Sequence, residues 1–329
     1  MSTKLLGVVF QQFNNQDIPK RKMTNEKKQN RSEAIAYLGL TLMTTIIGFS
    51  FIFVKLALNH APTIDLLAHR FSVAAIAILL FYILVRREKP KINRKEIAPL
   101  LLLSIFYPVL LFALQTIGLR FTTASEAGII SAAAPIITLI LASIFLKEKS
   151  NIWQTLSIFL SVGGIVYIMY KNGVSSLGGE TLKGNIFILL SVTAMAIYFV
   201  IGRRVTQKIN AVDITLFMTI TACVVFNILA ISSHLRSGTL STYFEAFTHK
   251  EFMWSILYLG VLSSVLTSFL TNNALTVIPA SQVSIFNNLS PIIAVFAGVI
   301  FLSETLHSYH IIGGVMVVLG VVGVNAIKK

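Results

Sequence analysis

Cysteine occurs once in 329 residues, at Cys223. A single cysteine excludes an internal disulfide and any paired-cysteine metal or redox site. Charge is scarce as well. Asp, Glu, Lys and Arg make up 12% of the chain, about half the share of a typical soluble domain. Acidic residues are the scarcer sign, 13 against 27 basic ones, which leaves a formal net charge of +14. The sequence has no Walker A phosphate loop, no Gly-x-Ser-x-Gly elbow and no His-Glu-x-x-His helix. Nothing therefore points to nucleotide hydrolysis, serine-hydrolase or zinc-protease chemistry. His307 and His310 are three apart, but no third metal ligand follows them. No cofactor is implied.

What is abundant is apolar. Hydrophobic residues reach 55% and mean hydropathy is +0.79. These values exclude a disordered chain and argue against an ordinary soluble enzyme. In a soluble protein, a charge of +14 would raise the question of nucleic acid. In a membrane protein it marks cytoplasmic loops instead, so no nucleic-acid partner is expected.

A spanning helix needs about 20 mostly apolar residues. Ten stretches qualify, at 34–57, 63–85, 97–119, 122–146, 151–170, 184–202, 213–233, 252–275, 279–302 and 307–327. The alternating ten-residue segments of a transmembrane barrel are not found. The expected fold is an all-α integral membrane protein with the lipid bilayer as its surroundings. Residues 1–33 read as a basic cytoplasmic tail, too weakly apolar for a signal peptide. Met23 offers a second possible start, in which residues 1–22 would not belong to the native chain.

Positive charge sets orientation. With the N-terminus inside, the inside segments hold the tail, the 86–95 loop, Lys147, Lys149, Arg203, Arg204, Lys208, Lys328 and Lys329. The outside segments hold only Arg120, Lys171, Lys183, Arg236 and Lys250. Both termini are thus expected in the cytoplasm.

The chain also repeats itself. Residues 121–168 align without gaps on 277–324, and 13 of the 48 positions are identical. The matches include Ala124/Ala280, Ser125/Ser281, Pro135/Pro291, Glu148/Glu304 and Gly164/Gly320. Shared hydrophobicity would not place a proline and a glutamate thirteen residues apart in both copies. With a shift of 148, Lys55 meets Arg203 and Asp65 meets Asp213. The chain reads as two five-helix halves, 34–170 and 171–329. Five is odd, so the halves enter the membrane from opposite sides. That inverted plan suits alternating access around a central site.

The residues that carry this pattern are similar to those of a known family. Thr122-Thr123-Ala124-Ser125-Glu126-Ala127-Gly128, Pro135 and Phe145-Leu146-Lys147-Glu148 form one copy of a signature. Ile278-Pro279-Ala280-Ser281-Gln282-Val283, Pro291 and Phe301-Leu302-Ser303-Glu304 form the other. Gly48, Lys55 and Arg70 also fit. The pattern resembles the drug/metabolite transporter superfamily, in particular its ten-helix EamA-type permeases. Ile47 departs from it, since relatives often place Trp before the glycine. The resemblance implies a multi-pass permease of the cell membrane that exports small metabolites or drugs, amino acids among them. The lack of a P-loop leaves an ion gradient, with protons the first choice, as the energy source. A membrane-embedded enzyme or sensor is the alternative reading.

Several polar residues inside the spans are candidates for substrate or proton contact. Glu126 is either a coupling carboxylate or an interfacial group helped by the helix dipole. Arg70 is read as pairing with Glu126 or with a substrate carboxylate, whose geometry a guanidinium matches. Gln282, Asn272, Asn287, Asn288 and Tyr107 are read as cavity lining or as glue between helices. Pro135 and Pro291 are read as hinges, because a mid-helix proline removes a hydrogen bond. Asp65 and His69 are read as helix-end anchors. Lys55 is read as snorkelling to the interface. Glu148 and Glu304 are read as favouring the helix starts that follow them. Ala124, Gly128 and Ala132 are read as packing first and homodimer contact second.

The charge pattern predicts accessibility. In a Cys223→Ser background, an impermeant maleimide added to intact cells should label Thr239→Cys and leave Glu88→Cys unlabelled. The reverse result would turn the chain over.

Overall fold

Helix boundaries in this chain follow short polar side chains. Asn210 Oδ1 accepts the Val212 N–H at 3.0 Å, and Thr123 Oγ1 accepts the Glu126 N–H at 3.0 Å. Glu96 Oε2 accepts the Asn93 N–H at 2.8 Å. Each satisfies an amide that the first helical turn leaves unpaired. Gly238 ends one helix with φ of +66°, a left-handed conformation that glycine adopts without a steric cost.

In the computed structural model, the described residues are 25–86, 92–134, 136–138, 140–141, 152–175, 180–278 and 289–326, with Pro90 and Val283. All regular structure among them is helical. The segments are α1 (Asn25–Leu58), α2 (Thr63–Phe81), α3 (Arg94–Phe121), α4 (Ala124–Ser131) and α5 (Ile152–Ser175). They continue with α6 (Glu180–Thr206), α7 (Ala211–Ser237), α8 (Lys250–Val277), α9 (Leu289–Leu302) and α10 (Ser308–Ala326). Among the described residues, six helices are long and apolar enough to cross a membrane. The other four are shorter apolar helices. Two 3-10 turns, Leu240–Thr242 and Glu245–Thr248, fill the connection between α7 and α8.

The polarity of the bundle is the reverse of that of a soluble protein. Arg70, Asp213 and Asn272 are buried, while Phe159, Ile300 and Phe301 are exposed by 71%, 67% and 65%. Such a surface belongs in lipid.

The packing has its own order. α5 packs along α10 and α2 along α7. α1 packs on α8 and α9, and α6 on α3 and α4. Exchanging the first five helices with the second five maps this set of pairings onto itself. Glycines permit the closest approaches. A Cβ on Gly118 would lie 2.9 Å from the Gly184 carbonyl oxygen between α3 and α6. One on Gly164 would lie 2.6 Å from the Gly313 carbonyl oxygen between α5 and α10. Gly128 faces Ala294 and Pro291 of α9 in the same way. It therefore serves contacts within the chain.

Two neighbouring glycines separate backbone approach from helix propensity. A Cβ on Gly163 would meet nothing nearer than Met316 Cε at 3.6 Å. Gly163→Ala should leave the melting temperature of the purified protein unchanged or raise it. Gly164→Ala should lower its stability by about 1–3 kcal/mol through overpacking.

Candidate functional site

Two helices lose the regular α pattern at the centre of the bundle. α3 is broken by a kink within Ile105–Leu110, and α8 is π-helical over Tyr258–Leu266. Pro108 lacks an N–H, and Tyr107 before it is extended, with φ −138° and ψ 119°; proline disfavours helical geometry in its predecessor. Such interruptions often mark functional positions. Between them lies a narrow cavity of about 40 Å³, with Tyr107, Phe112, Gln115, Ser131, Ser191, Ser263 and Ser290 in its wall. Tyr107 therefore lines the centre, as expected. Its hydroxyl lies 3.1 Å from Ser268 Oγ, and its ring stacks on Tyr198 at 4.5 Å. Asn272 does not line this cavity. It accepts from the Tyr198 hydroxyl at 2.8 Å and donates to Thr215 Oγ1 at 3.0 Å. It joins α6, α7 and α8, the glue role.

Arg70 is fully buried. It does not pair with Glu126, which corrects one of its two expected partners. Nε donates to Ser264 Oγ at 2.9 Å and Nη2 to Ser263 Oγ at 3.1 Å. The guanidinium carbon sits 3.9 Å from the centre of the Phe112 ring. Nη1 has no hydrogen-bond partner.

Glu126 belongs to a network at the end of the bundle that carries His60. Its Oε1 lies 2.8 Å from His310 Nε2, and its Oε2 accepts from Thr122 Oγ1 at 2.8 Å. The His307 N–H donates to His310 Nδ1 at 3.2 Å. Nδ1 is therefore the acceptor, and the ring proton sits on Nε2, donating to the carboxylate. Thr122 has one hydroxyl proton and also lies 2.6 Å from Asn185 Oδ1, while Asn185 Nδ2 lacks a partner. Turning the amide satisfies both groups, so that Nδ2 donates to Thr122. Sequence reasoning missed His310. Its spacing from His307 was a metal question, and nothing local links it to a residue 184 positions away.

Glu304 is corrected too. It does not favour the start of α10, the helix that follows it. Its carboxylate accepts from Ala124 N at 2.8 Å and from Ser125 N and Oγ at 2.9 and 2.7 Å. It caps α4 from the other half of the chain. Lys55 is half-buried and within electrostatic reach of Glu304 and Glu126, which adds two acidic neighbours to the expected position at the end of α1.

The two matched aspartates clasp α2 to α7 at opposite ends. Asp65 Oδ2 lies 2.9 Å from His234 Nε2 near the end of α7, and Asp213 accepts from the Tyr82 hydroxyl just beyond α2. His69 holds the connection between α7 and α8 through the Tyr243 carbonyl at 2.8 Å. Burial, with Asp65 and Cys223 adding to it, pushes the Tyr243 phenol up to about 12. It stays protonated and donates to Asn227 Oδ1 at 2.9 Å.

Among the described residues, the opposite end, which carries Arg94, is open. A cavity of about 820 Å³ lies there, bordered by Lys95, Glu96, Phe106, Ile201 and Lys208. Pro291 is buried as the third described residue of α9 and borders a lateral groove that also reaches His310. Pro135, Glu148, Gln282, Phe286, Asn287 and Asn288 lie outside the described residues. No cluster of three or more metal-ligating side chains occurs among the described residues.

Comparison with known proteins gives these features a context. The model of the EamA-like transporter family matches residues 34–170 and again residues 182–326. Uncharacterized transporter YcxC of Bacillus subtilis is 42% identical, over 88% of this chain and 92% of its own. Uncharacterized transporter YetK of the same organism is 27% identical, over 89% of this chain and 87% of its own. A WAT1-related protein of Arabidopsis thaliana is 27% identical, over 88% of this chain and 81% of its own. One solved crystal structure superimposes with a TM-score of 0.59 over 90% of this chain and 96% of that one. Its identity of 13% makes that a likeness of fold alone. Family and relatives point to a transporter and away from an enzyme. The chain is a multi-pass membrane protein that belongs to the EamA-like transporter family.

Proposed function

We propose that the protein is a proton-coupled secondary transporter of the cell membrane, with ten spans, both termini cytoplasmic and two inverted halves, 34–170 and 171–329. It exports amino acids, related metabolites or drugs by alternating access. The observation that carries this reading is the contrast between the two ends. At the His60 end, Glu304 and the Glu126–His310 pair tie α4 of one half to the α9–α10 corner of the other. At the Arg94 end a cavity of about 820 Å³ lies open. The packing that survives exchange of the two halves supports an inverted repeat.

The pair also supplies a coupling chemistry. The charged carboxylate is held by His310 and Thr122, with Lys55, Glu304 and Tyr309 as the other titratable groups around it. A proton on Glu126 removes the charge from both hydrogen bonds. A proton on His310 Nδ1 would meet the His307 N–H head-on. Protonation of Glu126 loosens α10 from α4 and opens the His60 end, whereas a proton on His310 strengthens its bond to the carboxylate. Substrate release and proton entry are thereby linked at one place.

Proteoliposomes test this. A charge-assisted hydrogen bond is worth about 1.5–3 kcal/mol, so neutralising the carboxylate should shift the gate by about tenfold or more. Glu126→Gln should lose pH-gradient-driven flux while keeping substrate exchange. Unchanged gradient dependence would sink the coupling role. Glu304→Ala should be separable from it. Loss of a helix cap costs about 0.5–2 kcal/mol. Labelling of Ser131→Cys from the His60 side should then rise by about threefold to thirtyfold, with proton dependence kept.

A further inference from the structure

Arg70 is a buried charge that the transport cycle described above leaves unused. Isolated charges are very costly in an apolar interior. A fully buried guanidinium is therefore expected to have a carboxylate beside it. Here the four acidic residues nearest the bundle interior are all committed elsewhere. Asp65 meets His234, Asp213 meets Tyr82, Glu126 meets His310, and Glu304 caps α4. Among the described residues, Arg70 makes no salt bridge, and Nη1 has no partner of any kind.

Its setting is built and rigid. Ser264 Oγ accepts from Nε and donates to the Leu259 carbonyl at 2.8 Å. Ser263 takes Nη2, and the Phe112 ring lies flat against the guanidinium carbon. Ser263 and Phe112 are also part of the central cavity wall. Arg70 thus stands directly behind that wall, with its charge unanswered. The rest of the polar lining is neutral, consisting of serine hydroxyls, the Tyr107 phenol and the Gln115 amide. Among the described residues no carboxylate lines it, so an organic cation would find no counter-charge from them. Lys95 and Lys208 border the open cavity at the Arg94 end, with Glu96 the one acid beside them. That net positive mouth draws anions inward.

We propose that the central site takes an organic monocarboxylate with an apolar or aromatic body, anchored through its carboxylate by Arg70. The charge count sets the valence. One uncompensated cation and one carboxylate form a neutral pair, which can be held in a low-dielectric core. A dianion would leave a charge over, because the other embedded cation, Lys55, already faces Glu304 and Glu126. In this conformation the central cavity, about 40 Å³, is closed below the size of such a ligand, and the aromatic faces of Tyr107 and Phe112 receive the body of the molecule when the cavity widens in the transport cycle. Phe106, beside Tyr107, borders the open cavity, which gives the approach route from the Arg94 end. This inference rests on the transport reading only for the cavity being a substrate site that widens.

A set of ligands with one skeleton tests it on the full-length protein. Phenylacetate, phenylacetamide, phenethylamine and benzylphosphonate share a ring and differ in head group. Binding is measured by thermal shift and calorimetry in detergent, and flux is measured in proteoliposomes. Phenylacetate should bind at least about tenfold more tightly than the amide or the amine, as expected for a charge-assisted contact. It should also bind more tightly than the phosphonate. Arg70→Gln should abolish that preference without changing binding of the amide. Arg70→Lys should keep part of it. The ligand series on the unsubstituted protein stands even if Arg70→Gln fails to fold. Equal binding of acid and amide, preference for the amine or the phosphonate, or binding of none of the four would overturn the proposal. Phenethylamine flux would do so while leaving the transport reading intact. Tight phenylacetate binding with no flux of any compound would uphold the anion site and count against transport.

Discussion

Hydrocarbon offers no partner to a polar group, and the architecture of this bundle depends on that constraint. Every polar atom that enters must bring its own complement or find one on a neighbouring helix. Serine and threonine hydroxyls mostly turn back to a carbonyl three or four residues earlier, as Ser104 and Thr215 do. Such bonds cost nothing between helices and specify nothing. The long-range pairs are different. Asp65–His234, Glu126–His310 and Tyr198–Asn272 each join helices remote in sequence. Between lipid-facing helices there is little hydrophobic force to choose a partner. These pairs, with the glycine contacts, therefore fix which helix lies against which. Arg70 stands out against this background because the rule is left incomplete there.

The repeat gives the same constraint a symmetrical form. Asp65 and Asp213 clasp the same two helices at opposite ends, one through histidine and one through tyrosine. A kink in α3 and a π-helical stretch in α8, the third helix of each half, flank the central cavity. Fold and site are thus one device. The helices that lose their regular hydrogen bonds are the ones between which polar groups gather.

How much of this was legible in the sequence follows from the range of each signal. The spans and the repeat were legible, because apolar runs and a fixed shift are properties of the chain itself. Gly128 as a close-contact residue was legible for the same reason. The partners of the charges were not. Arg70 and Glu126 looked like a natural ion pair in a list of embedded charges, yet they serve different parts of the bundle. Glu304 seemed to belong to the helix that follows it, and it caps one that starts 180 positions earlier. His310 read as one of two histidines at the start of α10. Helix dipoles and spacing are local arguments, whereas the choice of partner is made by tertiary packing.

The repeat is most informative where it fails to match. At a shift of 156, Glu126 meets Gln282 and His310 meets Gln154. In sequence, the ionisable pair corresponds to two amides in the other copy of the repeat. Glu304, Ala124 and Ser125 correspond to Glu148, Ala280 and Ser281, residue for residue. The capping set is thus duplicated, while the titratable set is not. An ionisable pair in one copy and its amide counterpart in the other make the two ends chemically unequal while keeping their shapes alike. Shape symmetry lets the halves exchange conformations. In the proposed cycle, chemical asymmetry would confine proton sensing to one end, while the gradient itself would set the direction of net flux.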